Sequence, residues 1–365
     1  MHWARSALVE IEFLVADGVA FSLTQFITAL ADAERTAFAG RAGAGITDIV
    51  MCALGYTWRD NASSVLSPTI SHADFIYGGG AVAAHGVVLA EAHGSFAQSV
   101  NGTRMSGEAR HKYVRQVKPH IATTCEHGDV IHGYSVAFGS NPSSLDTYLH
   151  VAETRISKDK GKPNPLAPQA EPRGAGAVPT SLALAAHRSN FLLMGATQVV
   201  AWIDWLRGTG DQPAEDYVTT FFTIEVSGRR FLAAAEHFFP YARSRFLFEE
   251  LEFPRVPWPW EEFERWRHRL RGGLANVFAM DEWAAKSFLL ALSAMIRGGR
   301  DQVPLALDLP DIEPFGFSPD LDRGYRDEDA RYPVAQFRDG LALLSRLPRS
   351  PAPDARHWSP QRGFI

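Results

Sequence analysis

At 365 residues, with 46% hydrophobic and 21% charged residues, the chain is long enough to bury more than one core and too balanced for wholesale disorder. Its net charge of −5 excludes a generally basic nucleic-acid coat, while leaving room for a local basic patch. Two cysteines, Cys52 and Cys125, read as reduced thiols and not as a disulfide framework.

From the start of the chain, Met1–Ala7 leads into Glu10 and Glu12, so no apolar signal-peptide core can be drawn and a cytoplasmic location is expected. Without export, the Asn101-Gly102-Thr103 sequon has no meaning. Ala7–Val15, rich in Val, Ile, Leu and Phe, is expected as a short strand. Ser22–Phe38 follows with Leu23, Phe26, Ile27, Leu30 and Phe38 at helical spacing. A glycine-rich turn (Gly40, Gly43, Gly45) then leads to Ile46–Leu54, an apolar run of undecided type.

Two strand signals come next. Asp74–Tyr77 runs into Gly78-Gly79-Gly80, and Gly86–His93 carries Val87, Val88, Leu89 and Ala90 into Glu91. The short connection between them predicts an antiparallel hairpin. Ser106–His120 has helical composition until Pro119, and Gly133–Phe138 is a further strand. The order helix, hairpin, helix, strand describes an α/β or α+β unit over residues 1–156.

Residues 157–180 hold Pro163, Pro165, Pro168, Pro172 and Pro179 and are expected as a linker. A second domain, 181–300, is expected to be mainly helical. It holds a long helix at Ser181–Leu206, a hairpin around Ser227-Gly228, a helix opening at Pro259, and a helix from about Asp281 to Arg297 closed by Gly298-Gly299. Phe191–Leu206, the longest apolar stretch, is broken by Gln198 and Asp204 and is too short to span a bilayer, so no membrane association is expected. Residues 301–365 read as an irregular tail, with Arg349–Ile365 mobile.

The chemistry concentrates in the first of these domains. On a strand, alternate residues share a face, so Glu91 and His93 point one way and Ala92 the other. If the two hairpin strands pair, Asp74 comes close to Glu91. Two carboxylates and a backbone carbonyl such as that of Ala92 make an oxygen-rich site suited to Mg²⁺ or Mn²⁺.

Ala73-Asp74-Phe75-Ile76-Tyr77, followed by Glu91-Ala92-His93 at the end of Val87–Ala90, resembles the PD-(D/E)xK (restriction-type) nuclease-like superfamily over roughly residues 1–155. In that family an acid and a hairpin lead to acid-any-lysine, then a helix and another strand. The resemblance implies a restriction-endonuclease-like fold for the N-terminal domain and metal-dependent phosphodiester hydrolysis, with Asp74 and Glu91 as metal ligands. His93 stands where the family has lysine. Three roles are open for it: a base, a metal ligand, or a residue whose missing ammonium is replaced by Lys112 from the following helix. Tyr113 and Gln116 lie on that helix too, where some branches of the family place such residues. A silent site is the remaining alternative; it would make the chain a scaffold or binding subunit of a multi-protein prokaryotic system with a protein partner.

The same helix carries Arg104, Arg110, Lys112, Arg115 and Lys118 against Glu108. Read functionally, Arg110, Arg115, Gln116 and Lys118 would contact the phosphate backbone of a nucleic acid; read blandly, they are a solvated helix face. Arg265, Arg267, Arg269 and Arg271 beside Trp258, Trp260 and Trp266 offer a second such choice, between nucleic-acid stacking and a helix end packed by aromatics.

Cys125, His127 and His132 have part of a zinc spacing but lack a second Cys/His pair. Gly78-Gly79-Gly80 is not a phosphate loop, and neither a Gly-x-Ser-x-Gly elbow nor a His-Glu-x-x-His helix occurs. The acidic cluster Asp320–Asp329 lacks calcium-loop spacing. These absences narrow the enzyme classes without touching chemistry assembled from distant residues.

Overall fold

Apolar residues at Leu8, Ile11 and Leu14 recur at helical spacing as well as within a β-prone run, and tertiary packing decides between the two. In the computed structural model of the chain, His2–Leu14 is a helix (α1), so the strand expected at Ala7–Val15 is corrected. The structure describes residues 2–16, 21–64, 66, 71–80, 86–144, 146–154, 177–214, 218–226, 228–235, 277–317, 334–344 and 354–364. Two units emerge, His2–Ala185 and Ala186–Ile365. Most of the proline-rich segment, the helix expected after Pro259, the Arg/Trp cluster and the acidic cluster lie outside the described residues.

In the first unit, the helix expected at Ser22–Phe38 begins later. Gln25–Ala29 is a single 3-10 turn, and α2 runs from Asp32 to Ala53, opened by Glu34 accepting from the Ala31 N–H at 3.1 Å. It absorbs both the glycine-rich "turn" and the undecided run after it. Close approach explains the glycines: a Cβ on Gly94 would lie 1.7 Å from the Ala39 carbonyl oxygen, and one on Gly43 would lie 2.6 Å from the Gly94 nitrogen. Helix and strand backbones therefore touch. Gly94→Ala is expected to push α2 off the sheet, at a cost of about 2–4 kcal/mol, seen as a lower midpoint in urea; an unchanged midpoint would refute the contact.

The sheet of this unit contains β1 (Trp58–Asn61), β2 (Phe75–Gly78), β3 (Val87–Ser95), β4 (Thr124–Cys125), β5 (Gly128–Ser140) and β6 (Thr147–Glu153). The strand order is β1-β2-β3-β5-β4, with β6 also paired to β5. β1, β2 and β3 are antiparallel, while β3 and β5 run parallel, joined through helix α3 (Gly102–Lys112). The hairpin register is Phe75↔Ala90, Ile76↔Leu89 and Tyr77↔Val88. Val88 and Ala90 join Met51 of α2 in one core cluster. The opposite face of β3 looks towards α3, whose Met105 and Ala109 are buried. β7 (Ala177–Pro179) and the first residues of α4 (Thr180–Met194) complete the unit.

The second unit corrects the fold expected from sequence. The Ser181–Leu206 helix is broken at Gly195, whose φ of +86° is the left-handed cap that ends α4 before α5 (Thr197–Leu206). The expected mainly helical C-terminal half does not hold, because an eight-stranded sheet dominates it. Its strands are β8 (Thr219–Val226), β9 (Arg229–Ala234), β10 (Val277–Asp281), β12 (Phe315–Phe317), β13 (Val334–Gln336), β14 (Leu341–Leu344), β15 (Ala355–Ser359) and β16 (Gly363–Phe364), in the order β12-β13-β14-β10-β9-β8-β15-β16; β11 (Ala306–Asp308) stands outside this order. The expected β8–β9 hairpin turns at Gly228, with φ +72°.

Alternate residues of these strands, including Phe222, Ile224, Val226, Phe231, Ala233, Val277, Ala279, Ala342 and Leu344, form one apolar cluster. Helix α6 (Glu282–Gly298) starts at Asp281, whose carboxylate caps the Trp283 and Ala284 N–H groups. The segment expected to be a mobile tail supplies two strands, and the buried Trp358 indole donates to Leu289 O at 3.1 Å and Ser293 Oγ at 3.0 Å on α6. Among the described residues no helix is long and apolar enough to cross a membrane.

Candidate functional site

Asp74 stands one residue before β2. Continuing the register Phe75↔Ala90 by one step sets it opposite Glu91. There the Asp74 carboxylate takes over the ladder, its Oδ2 accepting the Ala92 N–H at 2.9 Å. From above the Glu91 face of the sheet, α3 brings Lys112, whose Nζ donates to Glu91 Oε1 at 3.1 Å. Lys112 keeps 32% of its side chain exposed while that of Glu91 keeps 1%, so the ammonium lies between solvent and a buried carboxyl.

The second Glu91 oxygen, Oε2, is buried and makes no hydrogen bond among the described residues. Burial pushes the Glu91 carboxyl up to about 8; the Asp74 charge adds to the rise and Lys112 opposes it. Burial beside Asp74 thus disfavours the charged form of Glu91. His93, on the same face of β3 as Glu91, is half-buried, and burial lowers its pKa below the usual histidine range. Glu108 opposes that shift, while Lys112 and Arg104 reinforce it, which places the α3 stripe Arg104, Glu108, Lys112 around this imidazole.

After Lys112 the helix widens into a π turn, Tyr113–Val117, and tightens to a 3-10 turn at Lys118–His120. Such π segments often mark functional sites. Here the widened turn supplies two anchors. The Tyr113 hydroxyl donates to Thr154 Oγ1 at 2.8 Å, and Gln116 Nε2 donates to the His72 carbonyl at 3.2 Å. His120 Nε2 donates to the Ser71 carbonyl at 3.0 Å. Gln116 and His120 therefore hold the segment that delivers Asp74.

Of the residues singled out by sequence, Asp74, Glu91, His93 and Lys112 converge, and Gln116 holds the His72 carbonyl just ahead of Asp74. Arg110, Arg115 and Lys118 are exposed on the helix and its continuation, away from the two carboxylates; Arg115 lies 3.5 Å from His111. The partial zinc set does not converge. Cys125 Sγ donates to Gly128 O, His127 meets Asp60 and Ser181, and His132 packs on Tyr134. Among the described residues no group of three or more His, Cys, Asp or Glu side chains is arranged to hold a metal ion. Sequence reasoning took Glu108 only as the opposing charge on the basic helix, although the i, i+4, i+8 spacing of Arg104, Glu108 and Lys112 was visible, and gave no role to His120, which has no local signal at all.

Comparison with known proteins finds no matching family model, curated protein or solved structure.

Proposed function

We propose that the Asp74–Glu91–Lys112 cluster is the centre of a metal-dependent nuclease-like protein that hydrolyses phosphodiester bonds in nucleic acid. The observation that carries this reading is the Lys112 ammonium on Glu91, across the hairpin from Asp74. The order of acid, hairpin, acid, helix and parallel strand is that of the PD-(D/E)xK superfamily which the sequence resembles, with the ammonium supplied from the helix and not from position 93.

Asp74 and Glu91 would hold Mg²⁺ or Mn²⁺. A hard cation suits oxygen donors, and one bound at the buried Glu91 carboxyl would favour its ionised form against the burial that raises its pKa. When bound, the ion supplies Lewis-acid polarisation of the phosphate and acidification of water. The chain's own groups do the rest. Lys112 holds Glu91 in place and stabilises negative charge developing beside it. His93, whose neutral form burial favours, would accept a proton at a ring nitrogen. Gln116 positions the Asp74 segment, and the exposed Arg110, Arg115 and Lys118 would contact phosphates further along the strand.

The test is incubation of the purified protein with plasmid DNA and with single-stranded RNA, in Mg²⁺, Mn²⁺ or chelator. Lys112→Met is expected to lower the cleavage rate at least about a hundredfold while leaving the fold intact. Cleavage at the wild-type rate by this variant would remove Lys112 from the mechanism.

One observation favours a second reading, a silent scaffold that keeps the fold and serves a protein partner. Asp74 Oδ2 and Glu91 Oε1 are already engaged by the Ala92 N–H and Lys112. A silent site predicts no rise in melting temperature with Mg²⁺ or Mn²⁺, and a live one predicts a rise that Asp74→Ala abolishes.

A further inference from the structure

A second constellation in the first unit shares no residue with the carboxylate cluster. β4 and β5 pair as Thr124↔Asp129 and Cys125↔Gly128, which leaves Glu126 and His127 as a two-residue loop. Loop tips ordinarily face water. Here the His127 side chain turns inward and is 2% exposed. The loop is pinned by Thr124 Oγ1 donating to Asp129 Oδ1 at 2.6 Å and Cys125 Sγ to Gly128 O at 3.3 Å.

His127 Nε2 lies 3.0 Å from Asp60 Oδ2 on β1, and Nδ1 lies 2.8 Å from Ser181 Oγ at the start of α4. Asp60 is itself held, its Oδ1 accepting the Asn61 N–H at 2.7 Å. These contacts assign the proton positions. An ionised carboxylate only accepts, so in the neutral ring Nε2 carries the hydrogen and Nδ1 carries the lone pair. The Ser181 hydroxyl then donates to Nδ1; its other acceptor, the Glu126 carbonyl, is more distant at 3.4 Å. The three side chains are graded in access, with Ser181 half-exposed and the imidazole and carboxylate screened behind it. A hydroxyl donating to an imidazole that an acid orients is the arrangement that activates a serine nucleophile, and it is recognised by geometry and not by chain order.

We infer that Ser181, His127 and Asp60 form an acyl-transfer site for activated carboxylic esters. Ser181 Oγ attacks the ester carbonyl carbon as its proton passes to His127 Nδ1. The carbonyl–alkoxide bond breaks, and the leaving oxygen takes that proton. Water then attacks the acyl-serine with the same imidazole as base, releasing the carboxylic acid and restoring the hydroxyl. First-turn N–H groups of α4, which lack intrahelical partners by helix geometry, would serve as donors for the oxyanion.

The test uses the full-length protein and p-nitrophenyl acetate, with p-nitrophenolate release followed by absorbance and the acyl group located by peptide mass spectrometry. The expected result is acetylation at Ser181, absent in Ser181→Ala and slowed at least about tenfold in Asp60→Asn, whose amide oxygen still accepts the imidazole N–H. Circular dichroism checks that each variant is folded. Should Asp60→Asn unfold, His127→Gln decides: folded by circular dichroism, it should lose the acetylation at Ser181. No acetyl group on Ser181 of the folded wild type, an unslowed Asp60→Asn, or undiminished acetylation in folded His127→Gln would each overturn the site.

Discussion

Glu91→Gln is expected to melt at a higher temperature than the wild type at pH 8 in chelator, while losing any stabilisation by Mg²⁺ or Mn²⁺. The Glu91 carboxyl titrates near 8 in the folded protein against an ordinary value of 4.5. Between those values the folded chain binds more protons than the unfolded chain, so stability falls as pH rises from 4.5 towards 8. A difference of that size corresponds to about 4–5 kcal/mol of stability lost by pH 8. Gln carries no charge to bury, and the opposing pull of Lys112 is already contained in the Glu91 shift. The variant should therefore recover most of that loss, seen as a melting temperature higher by several degrees. At pH 5, where Glu91 is protonated in the wild type, the advantage should vanish. A variant that melts at or below the wild-type temperature at pH 8 would show that Glu91 is not held as a costly buried anion. The sign matters for function, because stability given up at a cluster of acids is recovered when a cation binds there.

His187 is expected to set the acid limit of the second unit. It lies on α4, buried, with its ring stacked 3.8 Å from that of Phe288 on α6. Burial lowers its pKa to about 3 from 6.5. Within that window the unfolded chain binds the proton and the folded chain does not. The stabilising contribution is therefore complete above about pH 6.5 and is lost progressively down to about pH 3, a total on the order of 4–5 kcal/mol. His187→Leu removes this titration together with the ring contact. The variant should be less stable than the wild type at pH 7.5, by about 1–2 kcal/mol for the lost stacking and imperfect packing. It should be the more stable of the two by pH 4.5, where the wild type has lost about 2–3 kcal/mol. Thermal unfolding of both proteins across that range measures the difference, and parallel pH profiles would refute the assignment.

Much of the carboxylate cluster can be read locally. The β2–β3 hairpin joins two strands through a short loop, so proximity in sequence becomes proximity in space, and period-2 alternation puts Glu91 and His93 on one face. The same logic places Arg104, Glu108 and Lys112 on one stripe of α3. Locality also explains the misreadings. Ala7–Val15 satisfies strand composition and helical spacing together, and only docking chooses. The glycines of α2 look like a turn until Gly94 comes against them, because a glycine required for close approach has the same letter as one required for a bend. The C-terminal strands are mostly two to five residues long, too short to show a period, while the helices beside them show theirs plainly.

By itself the sequence determined the elements whose cause is local: the α3 stripe, the β2–β3 and β8–β9 hairpins, and which residues share the face of Glu91. Tertiary structure alone decided that Lys112 meets Glu91 and that Glu91 is buried. It likewise decided that the tip of the β4–β5 loop turns inward to Asp60 and Ser181, and that the second unit is organised by a sheet. Each of these depends on strand order and on the docking of elements far apart in the chain. Burial and electrostatic environment are properties of that arrangement, and no window of neighbouring residues contains them.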